Sequence, residues 1–200
     1  MPLIETGFAA AIAAGQSRSG DRHVVESSGG GVLAAVVDGL GHGVGAAEAA
    51  EAAAAVLARH AGEPPAALIR RCHEALRSTR GAVMSLACFN AHEGSMTWVG
   101  VGNVEGVLLR ADPKASRRAE SLLLVGGVVG SKLPLLHPST ISVARDDTLI
   151  FATDGIESSF AEDLTPSDPP QKITEKIIAM HRKKTDDALV LVARFVGCRP

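Results

Sequence analysis

The sequence predicts an α+β fold in which two packed antiparallel β-sheets are flanked by helices. Three observations point to it. Short aliphatic and β-branched runs recur with hairpin-length breaks, which favours antiparallel pairing over repeated βαβ units. Several runs, such as "VLAAVV" and "ALVLVARFV", are apolar at nearly every position, so both faces of their sheets should be covered. Helical signals are confined to two stretches early in the chain and one late, enough to cover the outer faces of a sandwich.

The elements follow in order. Gly7 to Ala14 is a small apolar run. His23–Ser27 and Val32–Val37 flank "SSGGG", a hairpin signal. Alanine has the highest helix propensity, so the run from Ala46 to His60 reads as a helix, with Gly62 near its end. Pro64 and Pro65 suit the first turn of a second helix. "AVMSLACFNA", "SMTWVGVGNV" and "EGVLLRA" read as a strand meander, followed by "SLLLV", "TISVA" and a strand from Thr148 to Thr153. Pro169 to Lys184 reads as an amphipathic helix with Ile173, Ile177 and Ile178 apolar. "ALVLVARFV" is the last strand.

Composition narrows the function. The length suits one domain, taken as residues 1–200, and the chain has no proline-rich or low-complexity linker. A net charge of −2 gives no global reason to expect nucleic-acid binding. The basic clusters at Arg117–Arg118 and from His181 to Lys184 read as solvated surface. Cys72, Cys88 and Cys198 are odd in number, far apart and outside any CxxC motif, so they read as free thiols of a reducing compartment. No signal peptide is visible, and no apolar run reaches the ~20 residues that span a bilayer. The expectation is a cytoplasmic protein without membrane partners.

Most of the acids read as surface, but four fall at the ends of apolar strands, where burial makes a carboxylate costly. Asp21 precedes "RHVVES", Asp38 ends "VLAAVV", Asp154 ends "TLIFAT" and Asp186 precedes "DALVLVARFV". Counting outward from a turn at Gly29 and Gly30 places Asp21 opposite Asp38, about 5 Å apart across the hairpin. Asp154 and Asp186 meet in the same way if their strands are antiparallel neighbours. Any one of these aspartates alone could simply cap a turn. Four together at one rim point to hard divalent ions, magnesium or manganese, because no His/Cys cluster accompanies them.

Taken together, "SGDR" (Ser19 to Arg22), "VVDGLGHG" (Val36 to Gly43), "TDGIE" (Thr153 to Glu157) and "DDALVLVAR" (Asp186 to Arg194) resemble the PPM (PP2C-type) metal-dependent serine/threonine phosphatases. "GVGNVEG" and "GGVVG" resemble their bacterial sporulation and stress-response branch. The resemblance implies a PP2C-like β-sandwich with αββα layers and two divalent metal ions, manganese or magnesium, at one rim. It assigns Asp38 as a carboxylate bridging the metals and Gly39 as a backbone-carbonyl ligand. Asp154 and Asp186 become ligands of one metal, Asp21 the early acidic position, and Asp187 a ligand or neighbour. Asp38, Asp154 and Asp186 are then the catalytic set, with His42 a candidate proton donor and Arg18 and Arg22 candidate phosphate-binding residues. The family's final motif usually carries threonine where this chain has Leu189.

The activity implied is hydrolysis of phosphoserine or phosphothreonine by a metal-activated water, with no Ser or Cys nucleophile. The substrates implied are phosphorylated STAS-domain proteins of a stressosome-like complex in bacterial stress signalling. A competing reading is a phosphoprotein-binding module with this fold that does not hydrolyse its partner.

Overall fold

Gly29 and Gly30 both take positive φ, 58° and 84°. A two-residue type I′ hairpin requires this, and glycine adopts it without steric cost. In the computed structural model, which describes residues 2–115, 117–162 and 164–197, this turn joins β2 (Asp21–Ser28) to β3 (Gly31–Gly39). The register runs from Ser28 opposite Gly31 to Asp21 opposite Asp38, as the count from the turn predicts. Cys72 and Cys88 are free thiols, whereas Cys198 lies outside the described residues.

Among the described residues, one sheet has the order β2-β3-β4-β5-β8, built from β4 (Ala82–Asn90), β5 (Ser95–Val101) and β8 (Leu124–Val125), and β9 (Ser139–Ser142) also pairs with β5. The other has the order β1-β11-β10-β6-β7. Its strands are β1 (Ile4–Ala11), β6 (Glu105–Leu109), β7 (Ala119–Ser121), β10 (Thr148–Ala152) and β11 (Ala188–Phe195). The pairings are antiparallel except β5 with β8, which is parallel.

Two sequence expectations are corrected. The meander breaks after β5, because β6 leaves for the other sheet and pairs with β10. Gly102, at φ 94°, makes the bend, and buried Val104 plugs the gap between the sheets. "SLLLV" does not form one strand: Ser121 ends β7 in one sheet, and Leu124 begins β8 in the other.

The layering follows strand alternation. Val32, Ala34 and Val36 of β3 pack between the sheets against Leu189, Leu191 and Ala193 of β11. Leu33, Ala35 and Val37 face outward against α1 (Val44–Arg59) and α2 (Pro65–Ala75). On the far side, Val190 and Val192 of β11 meet Ile173 and Ile177 of α3 (Pro170–His181). α3 ends before Lys184 because Arg182 turns extended and bridges to Ile156. No helix among the described residues is long and apolar enough to cross a membrane.

The alanine run sets how closely α1 can lie on its sheet. Ala46, Ala47, Ala49, Ala50 and Ala53 are fully buried. A Cβ on Gly39 would stand 2.1 Å from the Ala46 carbonyl, so strand end and helix meet backbone to backbone. Ala50→Leu should therefore overpack this layer and cost about 1–3 kcal/mol of unfolding free energy. Ala55→Leu, on the exposed face, should stay within about 0.5 kcal/mol of wild type. Urea unfolding curves compare the two.

Candidate metal centre

The end of β3 places the first carboxylates. The Gly39 N–H donates to the Gly20 carbonyl at 3.0 Å, which makes that rung a hydrogen-bonded one. Asp21 and Asp38, one rung inward, form a non-hydrogen-bonded pair, the kind that brings side chains closest together. Asp38 shares the parity of Val32, Ala34 and Val36, so it points between the sheets. The Gly20 N–H, which would return a bond to the Gly39 carbonyl in a regular rung, donates instead to Asp187 Oδ2 at 2.7 Å.

The other sheet supplies the remaining acids. β10 and β11 are antiparallel, with Ala152 opposite Val190. Past that pair the chain turns at Asp154 and Gly155. A Cβ on Gly155 would lie 1.8 Å from the Asp187 carbonyl, so only glycine lets the two segments meet. Asp38, Asp154 and Asp186 then line one cleft of about 380 Å³, with His42 and Asn103 also on its wall.

Each carboxylate has its own surroundings. Asp21 is 4% exposed and accepts a hydrogen bond from the Thr153 hydroxyl at 2.8 Å. Burial raises its pKa from the ordinary 3.8 to about 7; the Thr153 bond works against that rise, while Asp187, Asp154 and Asp186 add to it. Burial raises Asp38 to about 8, assisted by Asp21, Asp154, Asp186 and Asp187. Exposed Asp154 accepts from Asn103 Nδ2 at 2.7 Å. Asp186 accepts the Asp187 N–H at 2.9 Å. Asp187 is buried, and its two oxygens accept the N–H groups of Ala13 and Gly20, each at 2.7 Å. It therefore clamps the segment between β1 and β2 to the start of β11.

The donor set fits hard divalent ions. Among the described residues, every charged group that shifts Asp21 or Asp38 is another carboxylate, and none is a cation. Among the described residues, no three His, Cys, Asp or Glu side chains close around a point as a finished cage would. The all-carboxylate, all-oxygen donor set suits magnesium and manganese. Magnesium keeps several waters and takes only one or two carboxylates per ion.

The candidates divide accordingly. The rim gathers Asp21, Asp38, Asp154, Asp186 and Asp187, and His42 stands exposed on the cleft wall. Arg18 and Arg22 are not on that wall: both bind Glu51 of α1, at 2.9 and 2.6 Å. In this structure their guanidiniums are engaged by that exposed carboxylate. Sequence reasoning passed over Thr153 and Asn103, which hold Asp21 and Asp154. Their signals lay inside quoted motifs, "TDGIE" and "GVGNVEG", and only the crossing between sheets shows what they touch.

The raised pKa values have a consequence for metal-free protein. In the folded state Asp21 and Asp38 keep protons that the unfolded chain releases near 3.8, so folding stability falls as pH rises towards about 7 and about 8. The melting temperature in chelator should drop between pH about 5 and about 8. Asp38→Asn should flatten that slope, and manganese should restore the wild type at the upper pH but not the variant.

Residues 28–196 match the family described as Stage II sporulation protein E (SpoIIE). The chain is 29% identical over 144 residues to the phosphoserine phosphatase RsbX of Bacillus subtilis (strain 168), an alignment covering 71% of this chain and 69% of that protein. A chain solved in work on the bacterial stressosome as a modular system controlling secondary messenger signalling superposes with a TM-score of 0.85 at 27% identity, covering 96% of this chain and 99% of that one. RsbX in complex with magnesium superposes with a TM-score of 0.84 at 24% identity, covering 96% and 94%. The chain belongs to the SpoIIE family and has the PP2C-type phosphatase fold.

Proposed function

We propose that this protein serine/threonine phosphatase is metal-dependent, uses two divalent ions, and acts on phosphorylated STAS-domain proteins of a stressosome-like complex. The observation that carries the chemistry is the convergence of Asp21 and Asp38 from one sheet with Asp154 and Asp186 from the other. Asp38, the Gly39 carbonyl, Asp154 and Asp186 would hold the ions, with Asp21 beside Asp38. Bound there, two manganese or magnesium ions would lower the pKa of a shared water and offset charge on the phosphoryl oxygens.

The chain's own residues do the rest. Thr153 and Asn103 orient Asp21 and Asp154 through hydrogen bonds of 2.8 and 2.7 Å. Asp187 holds the segment before β2 in place. Exposed His42 lines the cleft and is a candidate either to donate a proton to the leaving alkoxide or to order its loop. The stressosome assignment draws on the likeness to RsbX and to the chain from the stressosome work.

Phosphatase assays with manganese and a phosphoserine protein test the site. Asp38→Asn, Asp154→Asn and Asp186→Asn should each lose more than about 100-fold in activity. Asn103→Ala and Thr153→Ala should lose about 10–100-fold, the usual effect of removing a partner that orients a ligand. Full activity in both Asp38→Asn and Asp154→Asn would overturn the metal-centre assignment. Among phosphoproteins of different folds, a phosphorylated STAS domain should be dephosphorylated fastest.

A further inference from the structure

We propose that Arg80 is a substrate-binding residue whose guanidinium holds the phosphoryl group presented to Asp38, Asp154 and Asp186. The inference rests on the phosphatase reading and adds to it a side chain that grips the substrate.

The backbone around Arg80 is fixed against the cleft. The Gly81 carbonyl accepts the Leu40 N–H at 3.0 Å, and the Gly81 N–H donates to Thr79 Oγ1 at 3.0 Å. A Cβ on Gly81 would stand 2.7 Å from a Val128 methyl, and both Val128 and Leu40 line the cleft. Arg80 therefore stands at the cleft rim, between the loop that follows β3 and the segment that follows β8.

The side chain has a slot prepared for it. A Cβ on Gly45 would lie 2.7 Å from Arg80 Nε and 3.1 Å from Cζ, and one on Gly41 would lie 3.1 Å from Nη1. Nη1 also donates to the His42 carbonyl at 3.4 Å. Bare backbone at these glycines lets the guanidinium lie along the loop carrying Gly41 and His42, two residues of the cleft wall.

The charge around the cleft leaves a task for this group. The four charges of Asp21, Asp38, Asp154 and Asp186 would offset those of two divalent ions, while a phosphomonoester brings a further charge of about −1.5 to −2. Arg18 and Arg22 are paired with Glu51, and the Lys183 ammonium donates to the Asp154 carbonyl at 2.8 Å. Arg80 is exposed and, among the described residues, forms no ion pair; its one hydrogen bond is the long one to His42. A guanidinium fork matches two phosphate oxygens, which an ammonium cannot do in the same plane.

The test measures inorganic phosphate binding to manganese-loaded protein by calorimetry, alongside KM and kcat on a phosphoserine protein. Arg80→Ala should weaken phosphate by about 10–100-fold, the worth of one charge-assisted hydrogen bond, and raise KM. Manganese affinity and melting temperature should not move. Arg80→Lys should fall between the two, and Arg77→Ala, removing a nearby exposed charge, should match wild type. Unchanged phosphate affinity in Arg80→Ala, with active wild type, overturns this proposal and leaves the phosphatase reading standing. Loss of manganese binding in Arg80→Ala overturns it as well, because the role would then be structural. Wild type inert towards phosphoserine proteins with manganese present overturns both.

Discussion

Mutual repulsion among aspartates at one rim is the constraint around which this fold is arranged. Asp21 and Asp38 are held side by side between the sheets, and burial and their neighbours raise both above the usual carboxylate range. A sequence selected for stability alone would not place two acids at a non-hydrogen-bonded pair position facing a core. The sandwich tolerates them because they sit at its mouth: Val36, Leu189 and Leu191 close the apolar layer just below. The cost is local, and a bound cation removes it.

The rim is held by backbone as much as by side chains. Asp187 spends both oxygens on N–H groups of the segment between β1 and β2, which closes that segment over the start of β11. Gly155 and Gly39 are sites of close backbone approach, to Asp187 and to Ala46. The turn after Asp154 is fastened again from the end of α3, where the Lys183 N–H donates to the Gly155 carbonyl and the Glu157 N–H to that of His181. Each acid therefore stands on a segment fixed from at least one other element, the support a site needs if its ligands are to hold position when charge arrives.

The sequence showed most clearly what local rules control. A two-glycine turn sets the register of its hairpin, so Asp21 facing Asp38 could be counted from the turn. The layered architecture followed from apolar strands and few helices. Contacts between distant segments were hidden. Nothing local tells β6 to leave its hairpin neighbours for β10, and that crossing carries Asn103 to Asp154. The pairing of Arg18 and Arg22 with Glu51, about two turns into α1, was hidden too, because one sequence does not place the helix against that segment. Arg80 sits outside every quoted motif, and only folding lays it against Gly41 and Gly45.

Leu189 serves the rim through its main chain while its side chain serves the core. Its side chain is 2% exposed and belongs to the apolar layer between the sheets. Its N–H donates to Thr153 Oγ1 at 2.9 Å, and that hydroxyl in turn donates to Asp21 at 2.8 Å. A hydroxyl has one proton to give and two lone pairs to receive, so accepting from the Leu189 backbone leaves its proton free for the carboxylate. The chain Leu189 N–H to Thr153 to Asp21 needs only a main-chain donor at position 189. The side chain there is then free to be hydrophobic, while the hydroxyl that steadies Asp21 comes from the facing strand end.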